Sequence, residues 1–144
     1  MFVVDTNILL YAADRHAPEH AECRRRLIEW RVQPTAWHLT WCIIYEFLRV
    51  STHPRVFRNP FPLSNSWKFI QAVLASPSLS LLVETERHAQ VSTEVFKQFS
   101  TISGNFVFNT HTAILMKEHG VKTIYTRDTD FHKFPFLDVI DPLQ

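Results

Sequence analysis

Glycine is almost missing from this chain, with two in 144 residues. Phosphate-cradling loops of the G-x-G-x-x-G or Walker type need glycines close together, so nucleotide binding by those routes is excluded. Cysteine is equally sparse: Cys23 and Cys42 lie far apart with no C-x-x-C spacing, which fits two reduced thiols and not a disulfide framework. Charge of neither sign is in excess, because Lys+Arg 15 against Asp+Glu 14 leaves a formal +1. Any nucleic-acid partner must therefore be met by a local basic surface. No apolar run approaches the roughly 18 residues of a membrane span, and an acid, Asp5, stands where a secretion signal would be basic. These absences predict a soluble, cytoplasmic protein with no membrane partner.

What is present is a core. Hydrophobic residues make up 46% and charged residues 20%, too apolar for a disordered chain, and the length suits one domain over residues 1–144. Phe2 to Val4 is an apolar run that stops at Asp5, as a buried parallel strand does, and Ile8 to Leu10 opens a helix that Thr6 or Asn7 would cap. A second helix runs from Pro18 to about Val32, and alternation at Trp37, Leu39 and Trp41 predicts a second strand ahead of a helix from Trp41 to Ser51. After Pro54, Pro60 and Pro62, Ser64 would cap a helix carrying Trp67, Ile70 and Val73. Leu79 to Val83 reads as a strand, Glu86 to Phe99 as a helix, Asn109 to His119 as a helix closed by Gly120, Lys122 to Tyr125 as a fourth strand and Leu137 to Ile140 as a fifth. Strands alternating with helices predict a parallel sheet covered on both faces, with ligands gathering where strands end.

That rule gives weight to the acids that follow strands. Asp5 follows the first, Asp128 and Asp130 follow the fourth in YTRDTDF, and Glu46 sits inside the apolar helix CIIYEFLRV, where it needs solvent or a cation. Carboxylates that converge without a basic partner repel, and an oxygen-seeking divalent cation such as Mg²⁺ or Mn²⁺ relieves them. Such a cation activates water and stabilises a phosphate undergoing displacement, which is nuclease chemistry. Zinc would call for ordered His or Cys spacing, and the eight histidines show none. A plainer alternative stands beside each acid: Asp5 as a helix cap, Glu46 paired with Arg49 one turn on, and Asp128 and Asp130 as turn residues.

Four segments in order, VVDTN, YEFLRVSTHPRVF, GNFVFNTHTAIL and YTRDTDFHKFP, resemble the PIN-domain family, and within it the VapC-type toxin ribonucleases of bacterial toxin-antitoxin modules. The likeness spans nearly the whole chain. It implies a three-layer α/β/α fold around a central parallel sheet, an acidic Mg²⁺ or Mn²⁺ site that cleaves RNA, a cognate antitoxin partner laid over the groove, and a homodimer. By the same resemblance, Asp5, Glu46 and Asp128 match the first, second and fourth metal-binding acids, Thr6, Asn7 and Thr126 match supporting polar positions, and Asp130 lies close enough to assist.

Asn109 is the departure, since the family pattern has Asp there as the third metal-binding acid. An amide keeps one oxygen ligand and loses a full charge, an attraction on the order of 4 kcal/mol at about 4 Å before the relief of carboxylate repulsion is subtracted. An engineered knock-out, a natural degenerate copy and a site that works with fewer acids and Mn²⁺ all fit the sequence. The resulting expectation is a weakened or inactivated endoribonuclease, or else a degenerate PIN module that binds antitoxin or RNA without cutting it. An aspartyl-nucleophile phosphatase would want an acid at position 7, where this chain has Asn7.

Arg49, one turn from Glu46, and Arg55 and Arg58, beside Phe57 in HPRVFR, are candidates for holding phosphates while an unpaired base stacks; the alternative is a polar loop packed by one aromatic. The Arg24 to Arg26 run reads as a solvated helix face. Periodicity places most of Trp30, Trp37, Trp41 and Trp67 in the core, with an antitoxin groove as the other destination.

Overall fold

The computed structural model describes residues 1–144. Strands β1 (Phe2–Val4), β2 (Trp37–Leu39), β3 (Leu79–Leu81), β4 (Thr123–Tyr125) and β5 (Asp138–Ile140) form one sheet in the order β3-β2-β1-β4-β5, every neighbouring pair parallel. Six helices, α1 (Thr6–Ala13), α2 (His20–Val32), α3 (Trp41–Ser51), α4 (Leu63–Leu74), α5 (His88–Gln98) and α6 (Phe106–His119), flank it in the predicted three-layer α/β/α arrangement. The strand sequences explain the order. FVV and WHL, with every residue buried, lie inside the sheet, whereas the half-exposed LSL and DVI form its edges.

Val3 at the centre of β1 pairs with His38 on one side and Ile124 on the other. The chain winds outward through β2 and β3, then crosses back to β4 and β5, so the winding reverses at β1. A crevice opens at the carboxyl ends of strands flanking such a reversal. Asp5, Thr40 and Thr126 are the residues directly after β1, β2 and β4, and all three are buried.

Several helix starts differ from expectation. Asp5 itself caps α1, its extended backbone letting Oδ1 accept from the Thr6 amide at 2.8 Å, so neither Thr6 nor Asn7 is the cap. Helix α2 begins at His20, after Pro18, and α4 begins at Leu63 behind Pro62, without a capping bond from Ser64. Most telling, α6 begins at Phe106, three residues before the predicted start. The triplet Phe106–Phe108 is thus the first turn of a helix and no counterpart of the β1 triplet, because three apolar residues in a row carry neither a 2.0 nor a 3.6 period. Gly120, at φ 69°, ends α6 as predicted, with the Val121 amide returning to the Met116 carbonyl at 2.9 Å.

The tryptophans divide evenly. Trp30 and Trp37 are buried against Phe2, at ring-centroid distances of 5.4 and 6.3 Å, whereas Trp41 and Trp67 are 43% and 36% exposed. The Arg25 and Arg26 side chains pair with Glu22 on the outside of α2, the solvated face expected of them.

Candidate active site

The crevice beyond β1 and β4 holds a chain of polar contacts centred on Asp5. Its Oδ2 accepts from the Thr126 hydroxyl at 2.7 Å and from Asn7 Nδ2 at 3.1 Å. Asn7 Nδ2 also donates to Thr126 Oγ1 at 3.0 Å, and the Asp128 amide donates to the same oxygen at 2.9 Å. Thr126 therefore links the acid after β1 to the acid after β4. On the other side Thr6 Oγ1 donates to Glu46 Oε2 at 3.0 Å, which fixes the carboxylate of α3 beside the start of α1. Thr6, Asn7 and Thr126, expected as supporting residues, each touch an acid.

Glu46 makes no ion pair with Arg49, and no Lys, Arg or His lies within ion-pair distance of Asp5, Glu46 or Asp128. Asp5 feels the consequence. It is 6% exposed, and burial pushes its carboxyl up to about 6; hydrogen bonds from Thr126 and Thr6 oppose the shift, and the negative charges of Glu46 and Asp128 add to it. The helix-cap and turn alternatives are also true of these acids: Asp5 caps α1, and Asp128 Oδ1 accepts from the Asp130 amide at 2.9 Å to start a short 3₁₀ turn, Thr129–Lys133. Capping engages Oδ1 in each case, and Oδ2 is the oxygen held by the polar residues of the crevice, Thr126 and Asn7 for Asp5 and Asn109 for Asp128.

Asn109 lies one turn into α6 and reaches the same place. Its Nδ2 donates to Asp128 Oδ2 at 2.9 Å; an ionised carboxylate can only accept, so the amide nitrogen is the group that faces it. A carboxylate at position 109 would set two negative oxygens against each other at that contact and require a cation or a proton between them. The amide supplies a neutral donor where the cation would otherwise be wanted.

Glu46, Asn109, Asp128 and Asp130 line a cleft of about 500 Å³, with Arg49, Tyr45 and Phe108 on its walls. Asp130 has a partner of its own, Lys133 Nζ at 3.2 Å. Arg55 and Arg58 are exposed on the loop after α3 and do not line the cleft, and Phe57 is buried, packed edge-to-face on Phe61 at 5.6 Å. The packing alternative thus holds for Phe57, because a loop rich in proline and charge needs one apolar anchor. The exposed aromatics at the cleft are Tyr45 and Phe108, 67% and 60% exposed, which sequence reasoning missed. Their positions on α3 and α6, one residue before Glu46 and Asn109, were the available signal.

Sequence reasoning also missed a second polar group. Ligating atoms of Glu84, His88 and His111 lie within 4.8 Å of one another, although nothing in the spacing of the histidines announces it. These residues come from the β3–α5 connection, the start of α5 and the middle of α6, and only the packing of α5 on α6 joins them.

Comparison with known proteins bears on the cleft. The PIN domain family model matches residues 2–137. Ribonuclease VapC33 of Mycobacterium tuberculosis is 28% identical over 100% of this chain and 99% of its own length. Ribonuclease VapC43 of the same organism is 30% identical over 99% and 96%. Among solved structures, VapC20 of M. tuberculosis, a sarcin-ricin loop cleaving toxin, superposes with a TM-score of 0.65 at 15% identity, covering 92% of this chain and 94% of that one. VapBC2 of Rickettsia felis, bound to a promoter DNA fragment, gives 0.65 at 16% identity over 96% of both chains.

Proposed function

The chain belongs to the PIN-domain family, alongside the VapC ribonucleases, and we propose that it is, as one domain over residues 1–144, the toxin of a toxin-antitoxin module: an endoribonuclease weakened at Asn109. The observation that carries this is the convergence of Asp5, Glu46 and Asp128 at the carboxyl edge of β1 and β4 with no cationic side chain within ion-pair distance of any of them. The donor set fits a hard divalent cation, Mg²⁺ or Mn²⁺. Three carboxylates and the Asn109 carbonyl offer oxygen only, and burial together with the neighbouring charges of Glu46 and Asp128 pushes the Asp5 carboxyl up to about 6, a cost that a bound cation would relieve. Asp5, Glu46, Asn109 and Asp128 would hold the ion, which when bound supplies activation of water and countercharge for the phosphate.

The chain's own groups do the rest. Thr126 and Asn7 hold Asp5, and Thr6 turns Glu46 into the cleft. Arg49, exposed and free of any ion pair, is placed to bind an RNA phosphate, with Tyr45 and Phe108 beside it to stack a base. Asp130 assists from the rim. Arg55 and Arg58 would meet RNA only beyond the cleft. An apolar groove of about 720 Å³ adjoins it, lined by Tyr45, Leu48, Leu63 and Trp67, and accommodates a segment of the cognate antitoxin. The likeness to VapBC2 of Rickettsia felis supports that partner. The family likeness supports a homodimer, and a cytoplasmic location agrees with there being no helix long and apolar enough to cross a membrane.

One observation favours the second reading, a degenerate PIN module that binds antitoxin or RNA without cutting. The Asn109 to Asp128 hydrogen bond satisfies the cleft without a cation. Incubating the protein and an Asn109→Asp variant with total cellular RNA and Mn²⁺, with and without chelator, separates the two. Cleavage raised by the aspartate and abolished by chelator is expected. If the variant cuts no RNA with Mn²⁺, nor with Mg²⁺ in its place, the nuclease reading fails.

A further inference from the structure

We propose that Glu84, His88 and His111 form a zinc site, separate from the acid cleft and independent of the nuclease reading. His111 Nε2 and Glu84 Oε1 are 2.8 Å apart, sharing a proton that a cation would displace to solvent. The His88 ring stands edge-on to that of His111, with centroids 5.7 Å apart and planes at 83°. His88 Nδ1 is taken by Glu118 Oε2 at 2.6 Å, so its Nε2 is the ring nitrogen left for a ligand. A carboxylate behind a ligating histidine fixes the ring's tautomer and direction, which is the arrangement that orients metal-bound imidazoles.

The support behind the three ligands is rigid. The Glu118 side chain is fully buried and also accepts from the amide and hydroxyl of Thr85, at 3.1 and 2.6 Å, while Arg87 donates to the Glu118 carbonyl at 2.8 Å. His119 reaches the Val83 carbonyl at 2.7 Å. The segment 83–88 is therefore tied to the last turn of α6 before any ion arrives. His111 and Glu118, seven residues apart, share one face of α6; Asn109 and His111, two apart, point about 200° from each other. The two histidines and Glu84 keep solvent access, with side chains 28%, 29% and 52% exposed, so an ion has a path in. Two imidazoles and one carboxylate are a borderline-soft set that suits Zn²⁺ better than Mg²⁺, and three protein ligands leave a fourth position open.

Titrating the full-length, chelator-treated protein with Zn²⁺ against a chromophoric competitor tests this. One equivalent should bind in the native protein and in Asp5→Asn. His88→Gln and His111→Gln should lose it, and Glu118→Gln should weaken it by about 10- to 100-fold. Binding that survives in both histidine variants, or that disappears in Asp5→Asn, would overturn the site, as would no binding at all. Should a variant fail to fold, histidine ring ¹⁵N shifts of the native protein decide. On adding Zn²⁺, His88 and His111 should move and the other histidines should not; any other pattern contradicts the proposal.

Discussion

Two carboxylates reached from α6 meet opposite treatment. Asp128 lines a cleft and Asp5 lies behind it, neither with a cationic side chain within ion-pair distance, and burial leaves the Asp5 carboxyl pushed up to about 6. Glu118, equally inaccessible to solvent, also carries a cost of desolvation, but hydrogen bonds from Thr85 and His88 outweigh it and hold its carboxyl below the usual value. Loss of solvent access alone does not mark a functional acid, since two acids with the same exposure are satisfied to different degrees. What sets the cleft apart is negative charge held in place without an internal partner, by neutral donors that orient it and do not neutralise it. A structural carboxylate is completed by its own protein; the acids of the cleft are completed by something added.

The contrast is sharpest in catalysis. In the Asn109→Asp background, Asp5→Asn or Asp128→Asn should reduce RNA cleavage by about a hundredfold or more, whereas Glu118→Gln should leave it within a few-fold, measured by initial rates on one RNA in Mn²⁺. Equal losses would erase the distinction between the two acids.

Stability should change in opposite directions. With metal chelated, Asp5→Asn should stabilise the protein at pH 8 by up to about 3 kcal/mol, the equivalent of moving one carboxyl from 3.8 to about 6. Glu118→Gln should destabilise it by about 1–3 kcal/mol, because it removes charge-assisted bonds inside the fold. Urea denaturation of both variants checks the signs.

The sign for Asp5 also fixes a pH dependence. Its folded value lies above its unfolded one, so the native state holds the proton more tightly. The stability Asp5 contributes is full below about pH 4, falls as the pH rises through about 6, and is gone above 7. Chelated native protein should therefore lose stability over that window, and the loss should vanish in Asp5→Asn. A smaller effect is expected at the cleft wall, where Arg49→Ala should raise KM for RNA several-fold with kcat little changed, as for a group that binds a phosphate equally in ground and transition states.

Much of this was legible in the sequence because both fold and cleft follow from strand ends. An apolar run that stops at a polar residue gives a buried strand and, at its carboxyl edge, a crevice residue; Asp5 and Thr126 sit where that rule places them. A carboxylate inside an apolar helix already marked Glu46 for the same cation, whereas the resemblance supplied Asn109, which periodicity alone left open. Other features depended on packing that no local pattern encodes. Phe106–Phe108 has too few residues to show a period, so its helix was hidden. Phe57 and Phe108 both border basic or polar residues in sequence, yet one anchors a loop and the other faces the cleft. Glu84, His88 and His111 belong to three separate segments, and their meeting exists only once α5 lies on α6.

The most direct test of the cleft is Mn²⁺ affinity, read by electron paramagnetic resonance as free ion remaining, for the native protein and Asn109→Asp. Restoring the charge should tighten binding by at least about tenfold, a modest part of the attraction a full charge offers. Identical affinities in the two proteins would mean that no cation is held beside position 109, and the account of the cleft would be wrong.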